Sequence, residues 1–222
     1  MVSSADGHGA LMDRIYRRQR HIYDLTRKYY LFGRDTLIDR LELKPGMRLL
    51  EVGCGTARNL IRIAQKYPDA KLYGLDASAQ MLATAQRSVA QAGLGPRVRL
   101  IEAYAENLSP ELFGESEPFD AIIFSYSLSM IPDWQQALRA AVAALAKDGM
   151  LHIVDFGDLK GLGGLVEALL RSWLGLFHVA PRVELLETIQ RNPSTARRLT
   201  LLPGRYAFLL SCRAEDLQSN AV

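Results

Sequence analysis

A chain of 222 residues, 49% of them apolar, can bury the core of one domain with elaborations, which excludes a largely disordered protein. Two cysteines, Cys54 and Cys212, exclude a disulfide scaffold or a cysteine-rich metal cluster and fit a reducing cytosol, so no metal site is expected. Net charge is +3, yet Arg14 to Arg34 alone holds seven Lys or Arg against one acid, so the basic character is N-terminal and suits an anionic membrane, nucleic acid or an acidic substrate.

The first ten residues have no apolar core flanked by positive charge, so no secretory signal is expected, and no segment reads as a membrane span. Residues 12 to 32 contain neither Gly nor Pro and read as a helix or helix pair. On a helical period Tyr16, Arg20, Tyr23, Arg27 and Tyr30 share one stripe, either packed with snorkelling arginines or presenting polar tips to a site. Gly33 ends this segment, Leu37 to Leu41 forms a short helix, and Lys44-Pro-Gly turns the chain into a first strand.

That strand runs into Leu49-Leu-Glu-Val-Gly-Cys-Gly-Thr-Ala57, followed by a helix over 58–66. Gly53 and Gly55 let a ligand approach the main chain, as in nucleotide-binding turns. The spacing is ExGxGxA rather than GxGxxG, and an acid at Glu51 repels phosphate but suits a ligand bearing an amine, a sulfonium and a ribose. A second strand, Lys71 to Asp76, ends in another acid 25 residues on, near the offset at which such folds set a carboxylate on a ribose diol. Ser78 is the expected N-cap of a helix through Met81 and Val89 to Gly93, with Met81 either core or beneath an adenine.

A third strand, Arg97 to Glu102, leads into Ala103-Tyr-Ala-Glu-Asn-Leu108, and a fourth, Phe119 to Ser125, into Tyr126-Ser-Leu-Ser-Met-Ile. Ligands of doubly wound sheets lie beyond such strand ends, which makes Ser125, Tyr126 and Ser127 border residues of the site. Asp133 opens a helix expected to reach Lys147. The fifth strand, Met150 to Val154, ends at Asp155, a third acid at the same edge, either contacting an ammonium-like substrate or capping the next loop, while His152 faces a neighbouring layer. Residues 161 to 180 carry only Glu167 and Arg171 as charges, on a broad apolar arc that packs on the sheet or lies at a membrane surface. Two strands joined by Pro203-Gly204 finish the chain as an antiparallel hairpin.

The Glu51–Ala57 stretch resembles motif I of the class I S-adenosylmethionine-dependent methyltransferases, with Ala57 where a third glycine is usual. The resemblance implies an α/β, Rossmann-like fold: a mostly parallel seven-stranded sheet with helices on both faces and a C-terminal antiparallel hairpin. Its expected organisation is a helical cap over residues 1–44, a cofactor-binding domain over 45–215 and a tail over 216–222. S-adenosylmethionine is the implied cofactor, on Glu51, Gly53, Cys54, Gly55, Asp76, Ala77, Met81 and Ser125. Such enzymes often carry an acid where Tyr104 stands, then a small residue whose amide meets adenine. The acid here is displaced, so Ala105 and Glu106 are carried over in that role. No Asn-Pro-Pro-Tyr signature is present, which argues against methylation of adenine or glutamine amides.

The run from Tyr16 to Ile38, the Phe-Ser-Tyr-Ser-Leu-Ser-Met-Ile after the fourth strand and the Val-Asp-Phe-Gly after the fifth are similar to the betaine-lipid N-methyltransferases, over roughly residues 10 to 212. That resemblance implies trimethylation of diacylglyceryl-homoserine to diacylglyceryl-trimethylhomoserine. Tyr23, Tyr126 and Asp155 are then the expected catalytic residues, orienting the amine and receiving its proton. Tyr16, Tyr30, Arg34, Ser127, His178 and Arg182 are the expected substrate contacts, with Arg34 or Arg182 on the homoserine carboxylate. The expected location is the cytoplasm, at the inner face of an anionic membrane, with a partner enzyme supplying the lipid precursor and no nucleic-acid partner. Rival expectations are a phosphatidylethanolamine or soluble-amine methyltransferase, a cofactor-binding pseudoenzyme and, from another class, a basic nucleic-acid binder.

Overall fold

The computed structural model describes residues 31–177, 179–192 and 198–218. Tyr16, Tyr23, Tyr30, His178 and nearly all of the expected N-terminal helix lie outside the described residues. In chain order the main elements are α1 (Arg34–Asp39), β1 (Arg48–Val52), α2 (Arg58–Lys66), β2 (Lys71–Asp76), α3 (Ala79–Gln91), β3 (Val98–Glu102), β4 (Phe119–Ser125), α4 (Trp134–Ala144), β5 (Leu145–Phe156), α5 (Gly164–Gly175), α6 (Val183–Arg191), β6 (Leu199–Leu201), β7 (Ala207–Arg213) and α7 (Ala214–Gln218).

Seven strands form one sheet in the order β3-β2-β1-β4-β5-β7-β6. The first five are parallel, β7 runs antiparallel to β5, and β6 pairs antiparallel with β7. Buried parallel strands need apolar residues on both faces. Leu50, Val52, Ile122 and Phe124 accordingly face α4 and α6, while Leu49, Ala121 and Ile123 face α1, α2 and α3. The chain builds outward from β1 to β3 and then crosses back to β4, which puts a topological switch point between β1 and β4, where such sheets bind ligands.

The expected helix from Asp133 to Lys147 stops at Ala144. Leu145 is buried and pairs with Phe119, so the chain enters the sheet five residues early, and the register then shifts until Met150 meets Ala121. Gly149 lies in this irregular stretch, where a Cβ would sit 2.8 Å from the Ala146 carbonyl oxygen. The helix expected within 161–180 spans Gly164–Gly175, and the short one near Leu37 begins earlier, at Arg34. Among the described residues no helix is long and apolar enough to cross a membrane.

Candidate functional site

The turn after β1 is fixed by its neighbour strand. The amides of Gly53 and Cys54 both donate to the Leu75 carbonyl of β2, at 2.7 and 2.9 Å. Asp76, at the end of β2, accepts from the Gly55 amide at 2.8 Å through one carboxylate oxygen and from the Ser78 amide at 2.9 Å through the other. Gly53 has φ 72°, and a Cβ there would lie 2.5 Å from Ser127 Cβ on the loop after β4, so only a glycine lets these two loops meet. Ser127 completes the contact by donating from Oγ to the Val52 carbonyl at 2.7 Å. Ala57 also lies in the left-handed region, at φ 62°, at the N-cap of α2, a backbone position that accounts for glycine being usual there.

These loops enclose a cavity at the strand ends. Its walls include Gly53, Gly55, Asp76, Ala77, Ala105 and Glu106, with Tyr126 and Ser127 opposite. Among the described residues no lysine, arginine or histidine lines it. A second recess, on the other side of the glycine turn, is bordered by Arg34, Glu51, Cys54 and Ser125. Glu51 is buried and accepts from Asn59 Nδ2 at 2.7 Å. The Ser125 hydroxyl is buried at this recess without a hydrogen-bond partner among the described residues, a polar atom that a bound polar ligand would satisfy. Burial, with Asp76 and Glu51 beside it, pushes the Cys54 thiol far up, so Cys54 contributes its backbone and not a thiolate.

The loop after β4 is held rigidly from behind. Asp155 accepts from the Ser129 amide at 3.0 Å and the Phe156 amide at 2.8 Å. Arg182 donates to the carbonyls of Leu128 and Ile131, at 3.0 and 2.5 Å, and the Ala180 amide donates to Ser129. Asp155 and Arg182 are therefore not among the residues lining either cavity: they staple the loop that forms its wall, and Asp155 caps the loop after β4 and not the loop that follows Asp155 itself. Burial raises Asp155 to about 6, against the opposing pull of the Ser129 and Phe156 groups. Tyr126 sits at φ 57° with its ring against Phe156 and its hydroxyl donating to the Phe32 carbonyl at 2.6 Å. Its wall position matches the expectation, but its phenol is engaged with the segment preceding α1.

Met81 is buried against Met130 and Phe177 and does not line the cavity. His152 is buried inside the sheet, where Nδ1 lies 2.8 Å from Ser211 Oγ, and burial lowers it to about 4. Sequence reasoning missed Asn59, which fixes Glu51, and Met130, Ile131 and Pro132, which close the cavity wall. Asn59 had a legible signal, a polar residue on the inward face of the helix after the glycine turn, eight positions from Glu51. Among the described residues no group of His, Cys, Asp and Glu side chains can hold a metal ion.

A glycine turn pinned to an acidic second strand, an acid before the glycines and a cavity at the switch point are arranged as in the Rossmann-like fold of the class I S-adenosylmethionine-dependent methyltransferases. Residues 49–149 match the family described as a methyltransferase domain. The chain is 31% identical over 136 residues to a demethylmenaquinone methyltransferase of Geobacillus kaustophilus, covering 61% of this chain and 55% of that protein. It is 31% identical over 150 residues to a demethylmenaquinone methyltransferase of Thermus thermophilus, covering 65% of this chain and 66% of that one. The chain thus spans between about half and two thirds of the length of these curated relatives. The crystal structure of a SAM-dependent methyltransferase from Aquifex aeolicus shares the fold at TM-score 0.61 and 18% identity, over 88% of this chain and 96% of that one.

Proposed function

We propose that this chain methylates the amine of a lipid headgroup, converting diacylglyceryl-homoserine to its trimethylated betaine. What supports the choice of an amine is the similarity of Phe-Ser-Tyr-Ser-Leu-Ser-Met-Ile at the end of β4 and Val-Asp-Phe-Gly at the end of β5 to the betaine-lipid N-methyltransferases, stretches that supply Tyr126, Ser127, Met130 and Ile131 of the cavity wall and the Asp155 that holds it. A neutral amine acquires positive charge as it forms the new N–C bond, and among the described residues the cavity wall carries no lysine, arginine or histidine to oppose that charge. When bound, S-adenosylmethionine supplies a methyl group already activated on a sulfonium.

The residues of the chain then have positioning roles. Asp76 and the glycine turn orient the ribose and amino-acid portions of the cofactor, and Ala105 and Glu106 border its adenine. Ser125 and Arg34, at the second recess, supply a hydroxyl and a cation for carboxylate groups, with the homoserine carboxylate assigned to Arg34. The wall formed by Tyr126 and Ser127 is kept in place by Arg182 and Asp155, which fix the loop after β4 and would help to position a substrate against the cofactor. Successive methylation removes donors from nitrogen, and a wall that binds charge without requiring an N–H accepts all three stages.

A second reading is favoured by the names of the curated relatives, demethylmenaquinone methyltransferases, and places the methyl group on a quinone ring carbon. The acids of the cavity wall, Asp76 and Glu106, are assigned to the cofactor and would serve either acceptor. Purified protein given S-adenosylmethionine and either diacylglyceryl-homoserine or a demethylated hydroquinone separates the two. Mass gain on the lipid alone supports the proposal, and gain on the hydroquinone alone refutes it.

A further inference from the structure

Helix α5 turns toward solvent a face ill suited to water. Leu165, Val166, Leu169 and Leu176 are 77, 53, 64 and 69% exposed, whereas Leu174 is buried on the opposite side. Four large aliphatic side chains exposed on one short segment form a patch, not the scattered exposure usual on a surface. The helix's two charges do little to hydrate it: Glu167 and Arg171 pair at 2.9 Å, and Arg171 also donates to the Asp158 carbonyl at 2.5 Å.

The surroundings indicate what covers this face. Where α5 ends, Phe177 packs edge-on to Trp173 with centroids 5.0 Å apart and joins Met81 and Met130 in one apolar cluster. Met130 is also part of the cavity wall, so this cluster connects the cavity with the end of α5. At the other end Gly161 lies directly on Gly204, and Tyr206 of the same turn packs against Phe32, which is 57% exposed. The sequence leading into Phe32 and Gly33 is the basic run that carries seven Lys or Arg from Arg14 to Arg34. That run enters the described residues beside Phe32, and its charge is complementary to an anionic bilayer and not to a second copy carrying the same charge.

We propose that the outward face of α5, with Phe32, is a docking surface that lies in the headgroup and acyl boundary of an anionic bilayer and presents the cavity mouth to a lipid in place. This rests on the lipid-amine reading of the site. It assigns recruitment to Leu165, Val166, Leu169 and Leu176, none of which lines the cavity.

The test is flotation of the full chain with vesicles of phosphatidylcholine carrying about 30% phosphatidylglycerol, beside vesicles of phosphatidylcholine alone. The wild type is expected to float with the anionic vesicles. Leu165→Gln combined with Leu169→Gln should weaken that association by about 30-fold or more, since each leucine loses its transfer into the boundary. S-adenosylmethionine affinity by calorimetry should stay unchanged, which shows that the variant is folded. Wild-type protein that stays with the aqueous phase, or a double variant that floats as well as the wild type, overturns the proposal. So does a wild-type dimer in sedimentation equilibrium that the double variant dissolves. Flotation is read without turnover, so vesicle binding that persists with no methylation of any lipid amine retains this surface and removes the proposed substrate.

Discussion

Gly53 is the residue on which the geometry of the site depends, because it satisfies two demands together. Its φ of 72° is costly for any side chain, and a Cβ would collide with Ser127 at 2.5 Å. Gly53→Ala should therefore cost about 2–4 kcal/mol in urea unfolding and lower S-adenosylmethionine affinity at least about tenfold. Gly93 is the matched control: it has φ 70° and nothing within 4 Å of where a Cβ would sit, so Gly93→Ala should cost only about 1 kcal/mol and leave affinity unchanged. Tyr126→Phe separates wall from chemistry. Loss of the bond to the Phe32 carbonyl should lower stability by about 1–2 kcal/mol, with turnover at saturating substrate within about threefold of wild type. A loss of turnover far beyond that, at unchanged stability, would return the phenol to a catalytic role. The wall position of Tyr126 was legible from its place after a strand. The destination of its hydroxyl, 94 positions back in sequence, was not, because no local pattern encodes so distant a partner.

At the scale of elements, the sequence was most informative where a cap or a turn sets a boundary. Ser78 caps α3 as its position before the apolar periodicity implied, accepting from the Met81 amide at 3.3 Å. Ser78→Ala should cost about 1 kcal/mol by thermal or chemical unfolding, and because Asp76 holds the Ser78 amide and not its hydroxyl, cofactor binding should change little. The boundary between α4 and β5 was not legible. Residues 145 to 147, Leu-Ala-Lys, continue a good helical composition, and what draws them into the sheet is the pairing of Leu145 with Phe119, a contact between distant parts of the chain. The roles of Asp155 and Arg182 were hidden for the same reason. An acid at a strand end is visible in sequence, but whether it faces a ligand or a neighbouring loop depends on the 128–131 segment packed over it.

Across the whole molecule, two buried groups in β5 give folding stability opposing responses to acid. Asp155 is raised to about 6 by burial, so its protonated form is favoured in the folded state; the stability it contributes is present at low pH and is lost as pH rises through about 6. His152 is lowered to about 4 by burial, so its contribution is present above its ordinary value and is lost as pH falls toward about 4. Each spans on the order of 2–3 kcal/mol, so between pH 4 and 6 the two offset one another. Chemical unfolding across that window should show little slope from this pair in the wild type. Asp155→Asn should lose stability steadily on acidification, and His152→Gln should gain it; a common slope in all three proteins would refute the assignment.

The sheet order, the switch point and the acid-lined cavity account together for a methyltransferase domain whose substrate is proposed to be a lipid amine. The most direct test is mass spectrometry of lipids from a host that makes diacylglyceryl-homoserine, with and without this chain. The expected result is successive gains of one, two and three methyl groups on that lipid, abolished by Asp76→Ala. An unchanged lipid in a host where the chain binds S-adenosylmethionine, with a methyl group appearing instead on a quinone ring, would contradict it.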